Sequence, residues 1–370
     1  MVWIYGGGGS FGQIYDSAND PTGLVTGADQ KGFPIIYVAM NYRVVIFGFA
    51  ASPALAASDS LNLGLLSRHT AVGERKHPSN PPSWNRGSPM GDPGTAGNKS
   101  SVHTAQLTKL VNCTGTASIA ECNDYARCPC SNSTQRPSRT RRPSAVTRAW
   151  MSFISNSPSS FIPDRPCQHL ATGQFSRNID TLGGWNENDG SFSTLPTLAS
   201  DTQVALFLNI LAQYFRASRM KRDTEFSCPA LYTAQMTARY ATVPTATNCL
   251  FAFNQTLFRS WYAATSSSDL GVSHFSDIPY VFNQAQSSPR YAPYATLADG
   301  LLSSEMSGSW AAFAAFGSPS HGNGTIAGWT GLTNEQFPVQ IIGGPDSGVR
   351  ESGQNVIRGG YEGLAARCAF

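Results

Sequence analysis

The sequence predicts an α/β protein, and three observations carry that prediction. Val2–Tyr5 and Ile35–Met40 are short β-branched and aromatic runs bounded by Gly and Pro, the composition of strands buried in an α/β sheet. Further strand-like runs at Asn178–Gly183 and Leu250–Asn254 alternate with segments whose apolar residues recur at three- and four-residue spacing, the period of a helix face. The chain has 370 residues, enough to bury a sizeable core. The pattern reads as a single domain over residues 1–370, interrupted by irregular stretches at 67–86 and 126–160.

Taken in order, Val2–Tyr5 runs straight into Gly6-Gly7-Gly8-Gly9. The second strand leads through Asn41-Tyr42-Arg43 and Phe47-Gly48-Phe49 to Asn62-Leu63-Gly64-Leu65-Leu66. At Ser67 the character changes: Ser67–Arg86 is polar and rich in Pro, Arg, His and Ser, with no period of 3.6 or 2, and is expected as coil. Val102–Val111 is expected as a helix, and Ala126 to about Ser160 as a second coil. The strand at Asn178–Gly183 then leads into an acidic loop. Helices are expected at Val204–Phe215, Cys228–Tyr240 and Ser303–Phe316, the last closed by Gly317 and Pro319. There is no internal repeat.

Composition excludes several function classes. Net charge is +3 and only 13% of residues are charged, which argues against a nucleic-acid binder. The basic excess is local: Arg127, Arg136, Arg139, Arg141, Arg142 and Arg148 crowd one acid-free stretch, read as a solvated loop rather than a nucleic-acid arm. No apolar run approaches the ~20 residues of a membrane span, and no charged-then-apolar signal pattern opens the chain. Sequons at Asn98, Asn112, Asn132, Asn254 and Asn323, with eight cysteines, lean towards a secreted protein. Cys113 with Cys122 is the first candidate disulfide and Cys228 with Cys249 the second. Cys128-Pro129-Cys130 lacks zinc-knuckle spacing, and His69, His77, His103, His169 and His321 lack ligand spacing, so no metal site is expected.

The residues that carry chemistry are an acid and a histidine in that chain order. Gly184-Trp185-Asn186-Glu187-Asn188-Asp189-Gly190 supplies Asp189, with Glu187 as its rival, and Gly271-Val272-Ser273-His274 supplies His274. A hydroxyl is a poor nucleophile at neutral pH. An imidazole must take its proton, and a carboxylate must fix the ring's tautomer and offset its charge. The glycine run after the first strand lets backbone N–H groups converge on one oxygen without a Cβ in the way, and Gly7 and Gly8 are the expected donors of an oxyanion hole. One literal Gly-x-Ser-x-Gly exists, Gly8-Gly9-Ser10-Phe11-Gly12, making Ser10 a candidate nucleophile. An elbow serine needs a helix directly after it, and Phe11–Asp20 has no helical stripe. A dinucleotide fingerprint fits poorly, since the glycines are consecutive rather than spaced.

These motifs together resemble the type-B carboxylesterases, lipases and cholinesterases, particularly their fungal secreted members. Val2–Gly8 looks like the oxyanion loop, Asn41–Arg43 with Phe47–Phe49 the next strand and turn, and Asn62–Leu66 the opening of the helix before the nucleophile. The segment around Asp189 resembles the acid loop, Gly271–His274 with Ile278–Phe282 the histidine segment, and Met306–Pro319 the late helix. The resemblance implies an α/β-hydrolase fold with a central mixed, mostly parallel sheet flanked by helices. It also implies hydrolysis of a small-molecule carboxylic ester or lipid through an acyl-enzyme, no cofactor, and an extracellular location. The chain departs from that pattern where a strand, Gly-x-Ser-x-Gly and a helix should follow Leu66: the elbow is skipped, as are the strands ahead of the oxyanion loop. An out-of-frame or mis-spliced gene model would leave such coil stretches, a reading that transcript sequencing tests. Three consequences are expected: lost pairing in the central sheet with bare apolar surface, coil stretches that wrap loosely, and turnover lowered by a factor on the order of 10⁶. The alternative is a non-catalytic, cholinesterase-like binding or adhesion module.

Overall fold

A computed structural model describes residues 1–72, 83–84, 95, 97–110, 153–193, 218–219, 221–242, 247–255, 257–264, 270–332, 338–344, 356–357 and 364–368. Its centre is a five-stranded sheet in the order β3 (Ser83–Trp84), β4 (Thr181–Asn186), β5 (Asn248–Phe253), β6 (Val339–Ile342) and β7 (Val356–Ile357). The first four run parallel and β7 is antiparallel to β6. Every residue of β4 and β5 is buried, as strands covered on both faces must be. Alternation along β5 divides the core. Cys249, Phe251 and Phe253 join one apolar cluster, while Leu250 and Ala252 join another on the opposite face.

The first face is covered by α10 (Leu297–Phe316), with α1 (Thr22–Gln30), α8 (Leu257–Ala264) and α9 (Ile278–Val281) around it. Trp310 packs edge-on to Phe251, with ring centroids 5.1 Å apart. The opposite face is covered by α7 (Cys228–Tyr240), whose Leu231 and Ala234 join Trp185 and Val339. Gly184 in β4 is required by packing, because a Cβ there would fall 2.3 Å from Phe251 Cδ1. Shorter helices α2 (Val45–Phe49), α3 (Pro53–Ala57), α4 (Leu63–Val72), α5 (Lys99–Leu110), α6 (Pro166–Ala171) and α11 (Leu364–Arg367) complete the described elements.

The strand carrying the glycine run does not join this sheet. β1 (Val2–Trp3) pairs in parallel with β2 (Val38–Ala39) as a separate two-stranded sheet. Both strands are shorter than the runs Val2–Tyr5 and Ile35–Met40 that announced them, since a strand with one neighbour has fewer ladder bonds to extend it. Ile36 at 81% exposure, with Phe47, Phe11 and Val38, leaves apolar surface bare on this side.

Several expectations need correction. The coil expected from Ser67 is helical as far as Val72, because nothing before Gly73 breaks the helix begun at Leu63. Ser67 sits inside that helix and turns its hydroxyl back onto the carbonyls of Leu63 (2.8 Å) and Gly64 (3.1 Å). Within the same expected coil, Ser83–Trp84 pairs with Leu182–Gly183 as an edge strand. The described end of the second coil is not loose: Asn156 is buried, its N–H donates to Asn62 Oδ1 at 2.7 Å, and Asn62 Nδ2 returns a bond of 2.7 Å to its carbonyl.

The strand expected at Asn178–Gly183 begins instead at Thr181, since Asn178 is left-handed, with φ of 62°. α10 starts six residues before Ser303, where Thr296 and Asp299 form a capping box. Cys228 pairs with Cys368, at a Cα–Cα distance of 5.3 Å, and not with Cys249, which is buried and free. Cys113, Cys122, Cys128, Cys130, Asn112, Asn132 and the helix expected at Val204–Phe215 lie outside the described residues. No helix among the described residues is long and apolar enough to cross a membrane.

Candidate active site

The C-terminal ends of the parallel strands carry the polar residues. β4 ends at Asn186, and after Glu187 and Asn188 a 3₁₀ turn opens at Asp189. The histidine segment lies between α8 and α9, and a parallel bridge joins Asn188 to Ser273. Two further bonds fix the approach: Asn188 N–H to the Val272 carbonyl and Val272 N–H to Asn188 Oδ1, both 2.9 Å. Gly271 permits it, with φ of 60° and a position at which a Cβ would lie 2.4 Å from Asn188 Oδ1.

This bridge brings His274 Nδ1 to 2.9 Å from Asp189 Oδ1. The Asp189 side chain is fully buried and that of His274 is 24% exposed. The other carboxylate oxygen accepts the Asn186 N–H at 2.7 Å, so both oxygens face donors. In the tautomer that carries its proton on Nδ1, the ring donates to this carboxylate and Nε2 faces away from it. Among the described residues, Nε2 has no hydrogen-bond partner. Glu187, the rival acid, turns elsewhere: its Oε1 is 2.8 Å from Nη1 of Arg222, and its own N–H bonds the Phe253 carbonyl.

Gly6, which opens the glycine run, lies against Phe275, the residue after His274. Phe275 has φ of 78°, and its ring lies 3.4 Å from the position a Cβ on Gly6 would take. Gly7, Gly8 and Gly9 all have positive φ (127°, 59° and 71°), which only glycine adopts over three successive residues without strain. Among the described residues, neither the Gly7 nor the Gly8 amide donates to a protein acceptor. Ser10 lies in the same turn, its N–H bonded to the Gly7 carbonyl at 2.9 Å and its hydroxyl 3.5 Å from the Gly8 carbonyl. Coil, turns and a three-residue 3₁₀ segment at Ser17–Asn19 follow it, and the first α-helix starts at Thr22, so Ser10 is not on a strand-to-helix elbow.

Sequence reasoning missed four residues that assemble the site. Asn186 Nδ2 donates to the Ser273 carbonyl (2.8 Å) and to Asp277 Oδ1 (3.2 Å), tying the acid strand to the histidine segment. Asn188 makes the bridge just described. Phe226 packs on the His274 ring with centroids 4.9 Å apart, and Arg222 holds Glu187. Asn186 and Asn188 lie inside the block that supplied Asp189. Nothing in the spacing of Arg222 or Phe226 points to them. No group of three or more metal-ligating side chains occurs among the described residues. His321 is exposed and stacks on Phe316, while His169 is half-buried, with Nδ1 3.0 Å from Gln174 Oε1.

Comparisons with known proteins converge on one family. Residues 211–354 match the carboxylesterase family. The whole chain aligns at 25% identity over 456 residues with an inactive carboxylesterase-like protein of Byssochlamys spectabilis, covering 76% of that protein. It also aligns at 25% identity over 454 residues with a secreted lipase of Arthroderma benhamiae, covering 77% of it. Over 65 residues, 18% of this chain and 12% of its relative, identity to lipase 4 of Diutina rugosa reaches 46%. An alignment 456 positions long against 370 residues leaves 86 positions of the first relative without a counterpart here. The fold, with its mostly parallel sheet flanked by helices and its separated first strands, is an incomplete α/β-hydrolase; over residues 211–354 the chain matches the carboxylesterase family, and over its whole length it is similar to fungal carboxylesterase-like and lipase proteins.

Proposed function

We propose that this chain carries the acid–base and oxyanion-binding parts of a carboxylic ester hydrolase, with the nucleophile's seat unfilled. The observation that carries the reading is the 2.9 Å contact between His274 Nδ1 and buried Asp189. In these roles His274 takes a proton from an attacking hydroxyl at Nε2 and returns it to the leaving alcohol, while Asp189 orients the ring and stabilises its charged form. The Gly7 and Gly8 amides bind the developing oxyanion, each worth roughly 2.7–4 kcal/mol at the transition state. The substrate class is a carboxylic ester or a lipid ester, and the site of action is extracellular, as for the relative named a secreted lipase. The exposed sequons at Asn98 and Asn323 are then glycan acceptors.

The missing nucleophile limits what the chain does. Its hydroxyl turned onto its own loop and the absence of a following helix make Ser10 a poor substitute. Turnover is therefore lower than in a complete relative by a factor on the order of 10⁶. The relative whose name calls it inactive fits this outcome. A non-catalytic module would have no use for a bonded carboxylate–imidazole pair, so its presence supports the hydrolase reading. Labelling with a fluorophosphonate probe followed by peptide mass spectrometry is the test. No labelled serine is expected, and stoichiometric labelling of Ser10 would overturn the assignment of an empty seat.

A further inference from the structure

We infer that Arg222 is a positioning residue for the Asp189–His274 pair, and that the chain's C-terminal end locks it in place. This rests on the proposed function, because it concerns how that pair is held. The Arg222 side chain is only 1% exposed and sits among acceptors: Nη1 donates to the Glu187 carbonyl (3.2 Å) and to Glu187 Oε1 (2.8 Å), and Nε and Nη2 both donate to Asp223 Oδ1 (3.2 Å). Glu187 is two residues before Asp189, so one buried guanidinium grips both the backbone and the side chain of the acid loop. A planar fork with five donors suits that task, and an ammonium at the same place would reach fewer of these acceptors.

The same segment touches the pair from two other directions. Gly190, directly after Asp189, lies so close that a Cβ on it would fall 2.1 Å from the Ser218 carbonyl oxygen and 2.8 Å from the Arg222 nitrogen. Four residues beyond Arg222, Phe226 packs on the His274 ring. The segment thus bears on the loop before the acid, on the residue after it, and on the imidazole.

Its far side is fastened to the C-terminal residues. Arg367 Nε donates to Asp223 Oδ2 at 2.8 Å, and Cys368 is disulfide-bonded to Cys228, two residues after Phe226. Asp223 therefore links two arginines, one facing the acid loop and one on α11. A bridge between residues 140 apart in sequence, placed beside that link, joins the end of the chain to the candidate active site.

The readout that a purely structural role would not move is the exchange rate of the His274 Nδ1 proton, followed by NMR in protein labelled with ¹⁵N-histidine. The Phe251 amide in the central sheet reports global opening. In Arg222→Met, and separately in the double variant Cys228→Ala with Cys368→Ala, the Nδ1 proton is expected to exchange at least tenfold faster while the Phe251 amide changes less than twofold. Arg222→Lys should fall between. If Arg222→Met does not fold, the cysteine double variant and Arg222→Lys carry the test. Unchanged Nδ1 exchange, or exchange rising only in step with Phe251, overturns the inference. Asp189→Asn separates the two levels: if it accelerates Nδ1 exchange and the other variants do not, this inference alone fails; if it changes nothing, the proposed pair fails.

Discussion

Gly190→Ala is the most demanding test of how tightly the acid loop is held. The new methyl carbon would sit 2.1 Å from the Ser218 carbonyl oxygen, 2.8 Å from the Arg222 nitrogen and 2.9 Å from Lys221 Cβ. Ordinary van der Waals contact begins near 3.4 Å, so the loop and the 218–222 segment must separate by about 1.3 Å. Two of the three obstacles are backbone atoms and cannot rotate aside, so the cost should lie at or above the upper end of the ~1–3 kcal/mol typical of overpacking. The displaced residue adjoins Asp189, whose carboxylate depends on a 2.7 Å bond from Asn186 and a 2.9 Å bond to His274. Urea unfolding should therefore show a lower midpoint at unchanged slope. A stability within about 0.5 kcal/mol of the parent would refute the close-packing argument.

Two further perturbations probe other parts of the fold. Asn62→Ala removes a buried side chain that bonds both the N–H and the carbonyl of Asn156 and also Ser159 Oγ, at 2.7–2.8 Å, and should cost about 1–3 kcal/mol in urea unfolding; a neutral result would mean that residues 153–160 are not anchored there. The Cys249 thiol is 0% exposed, and burial pushes its pKa up to about 12. At pH 8 in the folded protein, iodoacetamide should therefore modify Cys167 and spare Cys249. A thiol that stays protonated in the fold but ionises near pH 9 when unfolded stabilises the fold fully below that pH, and its contribution falls as pH rises through 9 towards 12. Labelling of Cys249 at a rate similar to Cys167 would contradict its burial.

Much of this protein is legible in its residues, and the failures have physical causes. The period of α7 and the stop signals of α10 gave Tyr240 and Phe316 as helix ends because those boundaries depend on local chemistry. The early start of α10 was equally local: Thr296 and Asp299 are a capping pair that the apolar stripe does not reveal. Lengths of β1 and β2 depended instead on partners, which single-strand composition does not encode. The proposed pair, Asp189 and His274, was singled out by chain order and by the resemblance of its flanking segments, whereas Arg222, Phe226 and the Cys228–Cys368 bridge act across 35 to 140 residues of separation and left no local pattern.

The central claim is that Asp189 fixes the tautomer of His274 so that Nε2 is left as a base. Long-range ¹H–¹⁵N correlation spectra of the histidine rings at pH 8 measure this directly. The account predicts a protonated Nδ1 and an unprotonated Nε2 for His274, converted to a mixture of tautomers in Asp189→Asn. A proton on Nε2 in the parent protein, or a spectrum unaffected by Asp189→Asn, would contradict it.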